Sequence, residues 1–163
     1  MRFPLILALL ITPAAVLAQP AAVPDWKPFH VFIGTWEGTR SSPSGAGVKV
    51  VRTYETGEGS HQLDVTEGSG KSRAPWGTVH YDQGKSAFVL DQNKATDDPF
   101  ELVLNHVSED GSELTFVASP DGSGQVERIT HRLGGWNDFV EIVESAPDGK
   151  QFSLISETHF HRK

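Results

Sequence analysis

The stretch "VFIGTWEGTR", Val31 to Arg40, decides the fold. Gly34 and Gly38 stand two residues either side of Trp36, so along a strand all three side-chain positions point to one face. A large indole with bare backbone on both sides suits a place where a neighbouring strand and a covering segment approach it closely, as at the narrow end of a closed barrel. Just before it, "DWKPFHVFIG" spaces Trp26, Phe29, Phe32 and Ile33 by three and four, with Asp25 as N-cap and Gly34 as stop. This pattern predicts a short helix laid over an apolar surface, with Pro28 tolerated in its first turn.

Beyond Gly34 no helical period is sustained. β-branched and aromatic runs alternate with Gly, Asp, Pro and Ser clusters, and strands are expected near 35–41, 47–56, 60–67, 75–82, 85–92, 100–107, 112–119, 125–133, 136–145 and 151–161. "SEDGS", "SPDGSG" and "APDGK" place Asp-Gly between such runs, the chemistry of tight hairpins. Sequential hairpins give an up-and-down meander, and about ten strands curl and close, which removes exposed edges. The expected fold is therefore all-β: an antiparallel lipocalin-like barrel over residues 25–163, capped at one end by the segment from Asp25 to Ile33.

Ahead of the barrel, residues 1–18 ("MRFPLILALLITPAAVLA") carry one basic residue, an apolar run and small residues at a cleavage site, the pattern of a signal peptide. The apolar run is too short and too interrupted by Pro4 and Pro13 to span a membrane. Residues 19–24 read as a flexible linker. A periplasmic or secreted protein is expected. The chain has no cysteine, so neither a disulfide framework nor a thiol nucleophile is available. A formal net charge of −7 makes nucleic acid and anionic membrane poor partners.

At the first strand the chain resembles the calycin families. Gly-Xaa-Trp after a short helix is the lipocalin signature, and "GTWEG" is also similar to the opening of nitrobindin-like and fatty-acid-binding-like barrels. From Trp26 to Lys163 the chain resembles the bacterial lipocalin-like family DUF1579 more closely. Tyr81 and Asp82 match that family's tyrosine–aspartate turn, and Arg128, Asp148, Gly149, Glu157 and Arg162 match its closing pattern. The resemblance implies a barrel in which Gly34, Trp36, Gly38 and Arg162 are structural, with Arg162 lying over the Trp36 ring as a late arginine does in lipocalins. Through the nitrobindin-like barrels it also implies haem held by a histidine near the C-terminal end, for which His159 is the counterpart.

No nucleophile elbow, phosphate loop, zincin motif or calcium loop is present. Polar residues do interrupt apolar strand faces: Arg52 after Val48 and Val50, His80 after Trp76, His106 after Leu104, and Arg128 after Val126. With Trp36, Tyr54 and Glu157 they are the candidate cavity contacts, since a binding cavity sets a few polar groups in an apolar wall. The competing reading is that some point outward and others form internal ion pairs. "ETHFHRK" sets His159 and His161 on one strand face, which Glu157 shares, and with a third ligand from a neighbouring strand, such as His131, the two histidines could hold zinc or copper.

The leading expectation is a binding protein that holds a small apolar or amphipathic molecule, with no resident cofactor. The alternatives are a barrel enzyme using His80 or Glu157 as general base, and a filled barrel acting through a protein partner.

Overall fold

A computed structural model describes residues 24–57, 61–69, 72–93, 100–120 and 124–163. The expected signal peptide and linker residues 19–23 lie outside the described residues, as does the Asp121-Gly122 turn. The described residues form one short helix, α1 (Lys27–His30), and ten strands: β1 (Gly34–Ser42), β2 (Gly45–Thr56), β3 (Gln62–Ser69), β4 (Ser72–Asp82), β5 (Ala87–Gln92), β6 (Phe100–Val107), β7 (Glu113–Ala118), β8 (Val126–Leu133), β9 (Asp138–Ala146) and β10 (Ser153–Arg162). Each strand pairs antiparallel with its sequence neighbours, and β1 pairs with β10 to close the barrel. The alternating patterns therefore build an up-and-down barrel with one face inside and one outside.

The turns follow their residues. At β6–β7 the carboxylate of Asp110 accepts hydrogen bonds from the Ser112 N–H and from the Ser108 and Ser112 hydroxyls, and Gly111 takes φ +71°. The Tyr81–Asp82 pair closes the β4–β5 hairpin, with Asp82 accepting the Lys85 N–H at 3.0 Å and Tyr81 packing edge-on to Phe88 at 5.3 Å.

α1 closes the end at which odd-numbered strands begin. Only one turn long, it contributes almost nothing through its own hydrogen bonds and is held by the apolar face it buries. Trp26 and Phe29 pack on Phe88, Phe29 reaches Phe116, and Phe32 packs on Tyr54 and Phe139. Asp25 acts at the expected place, its Oδ1 accepting the Lys27 N–H at 3.0 Å, although Trp26 occupies the cap position itself.

Trp36 lies at the centre of this closed end, fully buried. Its indole N–H donates to the Phe32 carbonyl at 2.7 Å, its ring meets Phe139 edge-on at 4.8 Å, and the Arg162 guanidinium sits 4.2 Å above it. Arg162 also donates to three carbonyls, those of Val31 (2.5 Å), Ile33 (2.8 Å) and Trp136 (3.1 Å). The two glycines explain why this fits. A Cβ on Gly34 would come within 2.9 Å of the Arg162 guanidinium, and Gly34 holds φ +127°, which other residues rarely adopt. A Cβ on Gly38 would meet the His159 carbonyl at 2.7 Å and the Phe160 ring at 2.8 Å.

Replacing Arg162 by Ala removes the ring contact and three charge-assisted hydrogen bonds and is expected to lower the unfolding free energy by about 2–4 kcal/mol in a urea titration. Arg162→Lys should recover little of this, because one ammonium cannot reach three separated carbonyls while covering the indole.

Candidate functional site

Inside the barrel the inward residues divide into two levels. Near α1 the lumen is solid: Leu63, Val79, Phe88, Leu90, Leu102, Leu114, Phe116 and Phe139 are all buried. Above them lies a polar network centred on Arg52, whose side chain is completely buried although charged. Its position follows from register, since β2 pairs Arg52 with Trp36 on β1 and both point inward.

Arg52 is held on all sides. Its Nη2 donates to Glu141 Oε1 at 3.0 Å, and Nη1 pairs with Oε2 of the same carboxylate. Nε and Nη2 donate to Glu67 Oε2 at 3.0 and 2.5 Å. Trp76 stacks over the guanidinium at 3.9 Å and Phe160 faces it at 4.9 Å. Glu141 is further bonded to His131 Nε2 at 3.0 Å, and Arg40 donates to Glu67 at 2.6 Å. Exposure rises along this chain of charges: 0% for the Arg52 side chain, 1% for Glu141, 14% for Glu67 and 32% for Arg40. The network thus runs from the solid half of the lumen towards the end of the barrel opposite α1, the mouth.

Burial opposes ionisation of Glu141, but the Arg52 charge, followed by the hydrogen bond and charge of His131, outweighs it and holds the carboxyl well below its usual range. For Arg52 the burial penalty is likewise exceeded by the attraction of Glu141, so it stays charged at any accessible pH. Tyr54, whose hydroxyl accepts from Arg52 at 3.4 Å, is pushed up to about 12 by burial, with the Arg52 charge opposing, and is a neutral phenol. Arg52 and Arg40 balance Glu141 and Glu67, and with Tyr54 and His131 they form a pre-organised polar network of which Glu67 and Arg40 are the members that reach solvent.

The structure corrects the expected facing of several residues. His80 lies on the outer face, 3.4 Å from Asp91, although it has the same parity as the inward Trp76. The cause is a bulge: Val65 pairs with Gly77 and Thr66 with Pro75, so Trp76 is an extra residue and parity inverts after it. His106 is turned outward in the same way, because Leu104 pairs with Phe116 but His106 pairs with Thr115, leaving Asn105 extra. Arg128 faces out, bonded to Glu144 at 2.6 Å and stacked on Phe152 at 4.0 Å. Glu157 also faces out, against His159 at 2.5 Å. Trp36, expected both as signature and as cavity contact, is sealed beneath Arg162 and Phe139 in the solid half.

His159 and His161 are exposed on the outer face of β10, His161 paired with Asp138. His131 points into the lumen, across the sheet wall, so it cannot complete a site with them. Among the described residues no group of three or more His, Asp or Glu is placed to hold a metal ion. The outward imidazole of His159 likewise does not fit a haem held inside the barrel.

Glu141 and Glu67, the partners that make Arg52 tolerable, were not singled out in the sequence. The signal for Glu141 is its phase in "DFVEIV", where it alternates with the inward Phe139 and Val143. Glu67 gives no such signal, because the bulge beside it scrambles the pattern.

No protein-family model and no curated protein matches the chain. Among solved structures it is similar to Rv2717c from M. tuberculosis, at 11% identity and a TM-score of 0.55 over 86% of this chain and 98% of that one. It is also similar to a protein of unknown function from the DUF3598 family of Nostoc punctiforme, at 9% identity and a TM-score of 0.49 over 90% of this chain and 53% of that one. A third likeness is to EF1p2_mFAP2b, solved bound to DFHBI, at 8% identity and a TM-score of 0.42 over 83% of this chain and 97% of that one. The likeness to Rv2717c is one of fold: the chain is an all-β, closed ten-stranded antiparallel barrel.

Glu141→Gln leaves the Arg52 charge buried with half its compensation and is expected to cost about 3–5 kcal/mol of stability at neutral pH. Because the folded barrel depresses this carboxyl below its ordinary 4.5, its contribution is complete above about pH 4.5 and is lost as pH falls from there towards the lower folded value. Urea midpoints measured from pH 7 down to pH 3 should therefore fall more steeply for the parent than for Glu141→Gln.

Proposed function

We propose that this protein is an exported carrier that takes a small, mostly apolar or amphipathic molecule into the mouth of its barrel. The observation that supports the reading best is the contrast between the two halves of the lumen. The half beneath α1 is filled, whereas at the mouth the inward Trp76, Gln92, Phe100 and Val143 are only partly buried and Val48 is exposed. That sets a largely apolar wall beside Glu67 and Arg40, the combination small-molecule sites use: apolar contact for affinity, a few polar groups for orientation. The ligand's apolar body would lie against Trp76 and Phe100, and its polar end would meet Arg40 and Glu67.

The reading needs no resident cofactor. Export to the periplasm or medium rests on residues 1–18, and kinship with the DUF1579 family rests on the Tyr81–Asp82 turn and the closing pattern through Arg162. Among the described residues no helix is long and apolar enough to cross a membrane. The general-base alternative loses its support in the lumen, since His80 and Glu157 face outward.

Native mass spectrometry of the protein recovered from its own periplasm or medium should show a co-purifying small molecule. Trp76→Ala should release it while leaving the outer-face residues untouched. A bare polypeptide mass from that source, or occupancy indifferent to Trp76→Ala, would overturn the reading.

A further inference from the structure

A cleft at the opposite end of the molecule from the mouth has a chemistry of its own. It lies between the start of α1, the β6–β7 turn and the β8–β9 turn and is an open cleft of about 550 Å³. This is well within the range of about 300–1,000 Å³ typical of small-molecule sites. Its floor is apolar, formed by Val31, Val107 and Leu133. At its edge stands Trp136, 78% exposed, a large indole the fold leaves in water.

The walls are tied together from below. Arg162 donates at once to the carbonyls of Val31 on the α1 side and of Trp136 on the β8–β9 turn, so the two sides keep their spacing. The third wall is braced by the Asp110 turn, in which two hydroxyls and one N–H converge on Oδ1. Those donors hold the Asp110 carboxyl ionised, at about 2.

The side chains lining the cleft are mostly acidic. Asp25, Glu109 and Asp110 contribute three carboxylates against Lys27, while the Arg162 guanidinium beneath is taken up by the Val31, Ile33 and Trp136 carbonyls and the Trp36 ring. An anion would be repelled, and a neutral apolar molecule would leave the carboxylates unused. A cation with an apolar body would satisfy all three features: its body on the floor, its charge against the indole face, and its field matched to the carboxylates.

We propose that this cleft binds a small organic cation, an amine or quaternary ammonium carried on an apolar group, with Trp136 as the aromatic platform. The site is independent of the ligand proposed for the mouth, and the two are separated by the filled half of the lumen.

Phenyltrimethylammonium is a suitable probe, with benzenesulfonate as the same ring bearing the opposite charge. In isothermal titration at low salt the cation should bind saturably and the anion at least tenfold more weakly. Trp136→Leu keeps apolar bulk and removes the π face, and should weaken cation binding about tenfold. Glu109→Gln combined with Asp25→Asn should weaken it severalfold and flatten its dependence on salt. All three positions are exposed and outside the core, so circular dichroism and urea midpoints should match the parent. Trp76→Ala, in the mouth, should leave cation binding unchanged. Absence of saturable binding, equal binding of benzenesulfonate, or loss through Trp76→Ala and not through Trp136→Leu would each overturn the proposal.

Discussion

The guanidinium of Arg162, lying on the face of Trp36, is the interaction on which the closed end depends. It joins the last strand to the first, since Trp36 and Arg162 are paired across the β1–β10 seam. Through its three carbonyl partners it also ties down a helix too short to hold itself. Closing the sheet at this seam removes the two edges that an open ten-stranded meander would expose. The bare positions at Gly34 and Gly38 are the steric condition for it, because a methyl at either would meet Arg162 or the β10 backbone and Phe160.

A closed barrel this size has a lumen that its own side chains must line or fill. Aromatic and aliphatic side chains pack the half beneath α1. Higher up, packing gives way to the Arg52–Glu141–Glu67 network, where every buried charge has an opposite charge within bonding distance. A paired buried ion contributes less to stability than an apolar replacement of equal volume often would, and removing one partner is costly. The network therefore adds little net stability, yet breaking any one of its pairs is costly.

Strand bulges decide which residues reach that network. Two extra residues, Trp76 in β4 and Asn105 in β6, invert the side-chain phase within their strands. One inversion brings Trp76 over Arg52 and sends His80 outside, and the other sends His106 outside after Phe100, Leu102 and Leu104 have pointed in. Unbroken alternation would have produced a lumen rich in histidine. The observed lumen contains His131, bound to Glu141 and enclosed by Phe32, Phe116 and Phe139.

The sequence by itself determined the all-β class, ten strands close to their observed limits, the capping segment at Asp25–Ile33, the hairpin turns at Asp110-Gly111 and Asp148-Gly149, and the structural role of the Gly34–Trp36–Gly38 triplet. These are legible because they rest on local periodicity and on residues with special backbone or steric properties. Arg52 and Tyr54 were also legible as inward residues, because β2 alternates without a bulge between Val48 and Tyr54. Only the tertiary structure decided that Glu141 and Glu67 meet Arg52, that Trp76 covers it, and that His80, His106, Arg128 and Glu157 lie outside. Those facts depend on register between strands distant in sequence, and a single extra residue reverses the facing of everything after it, a change that composition and spacing along one strand do not record.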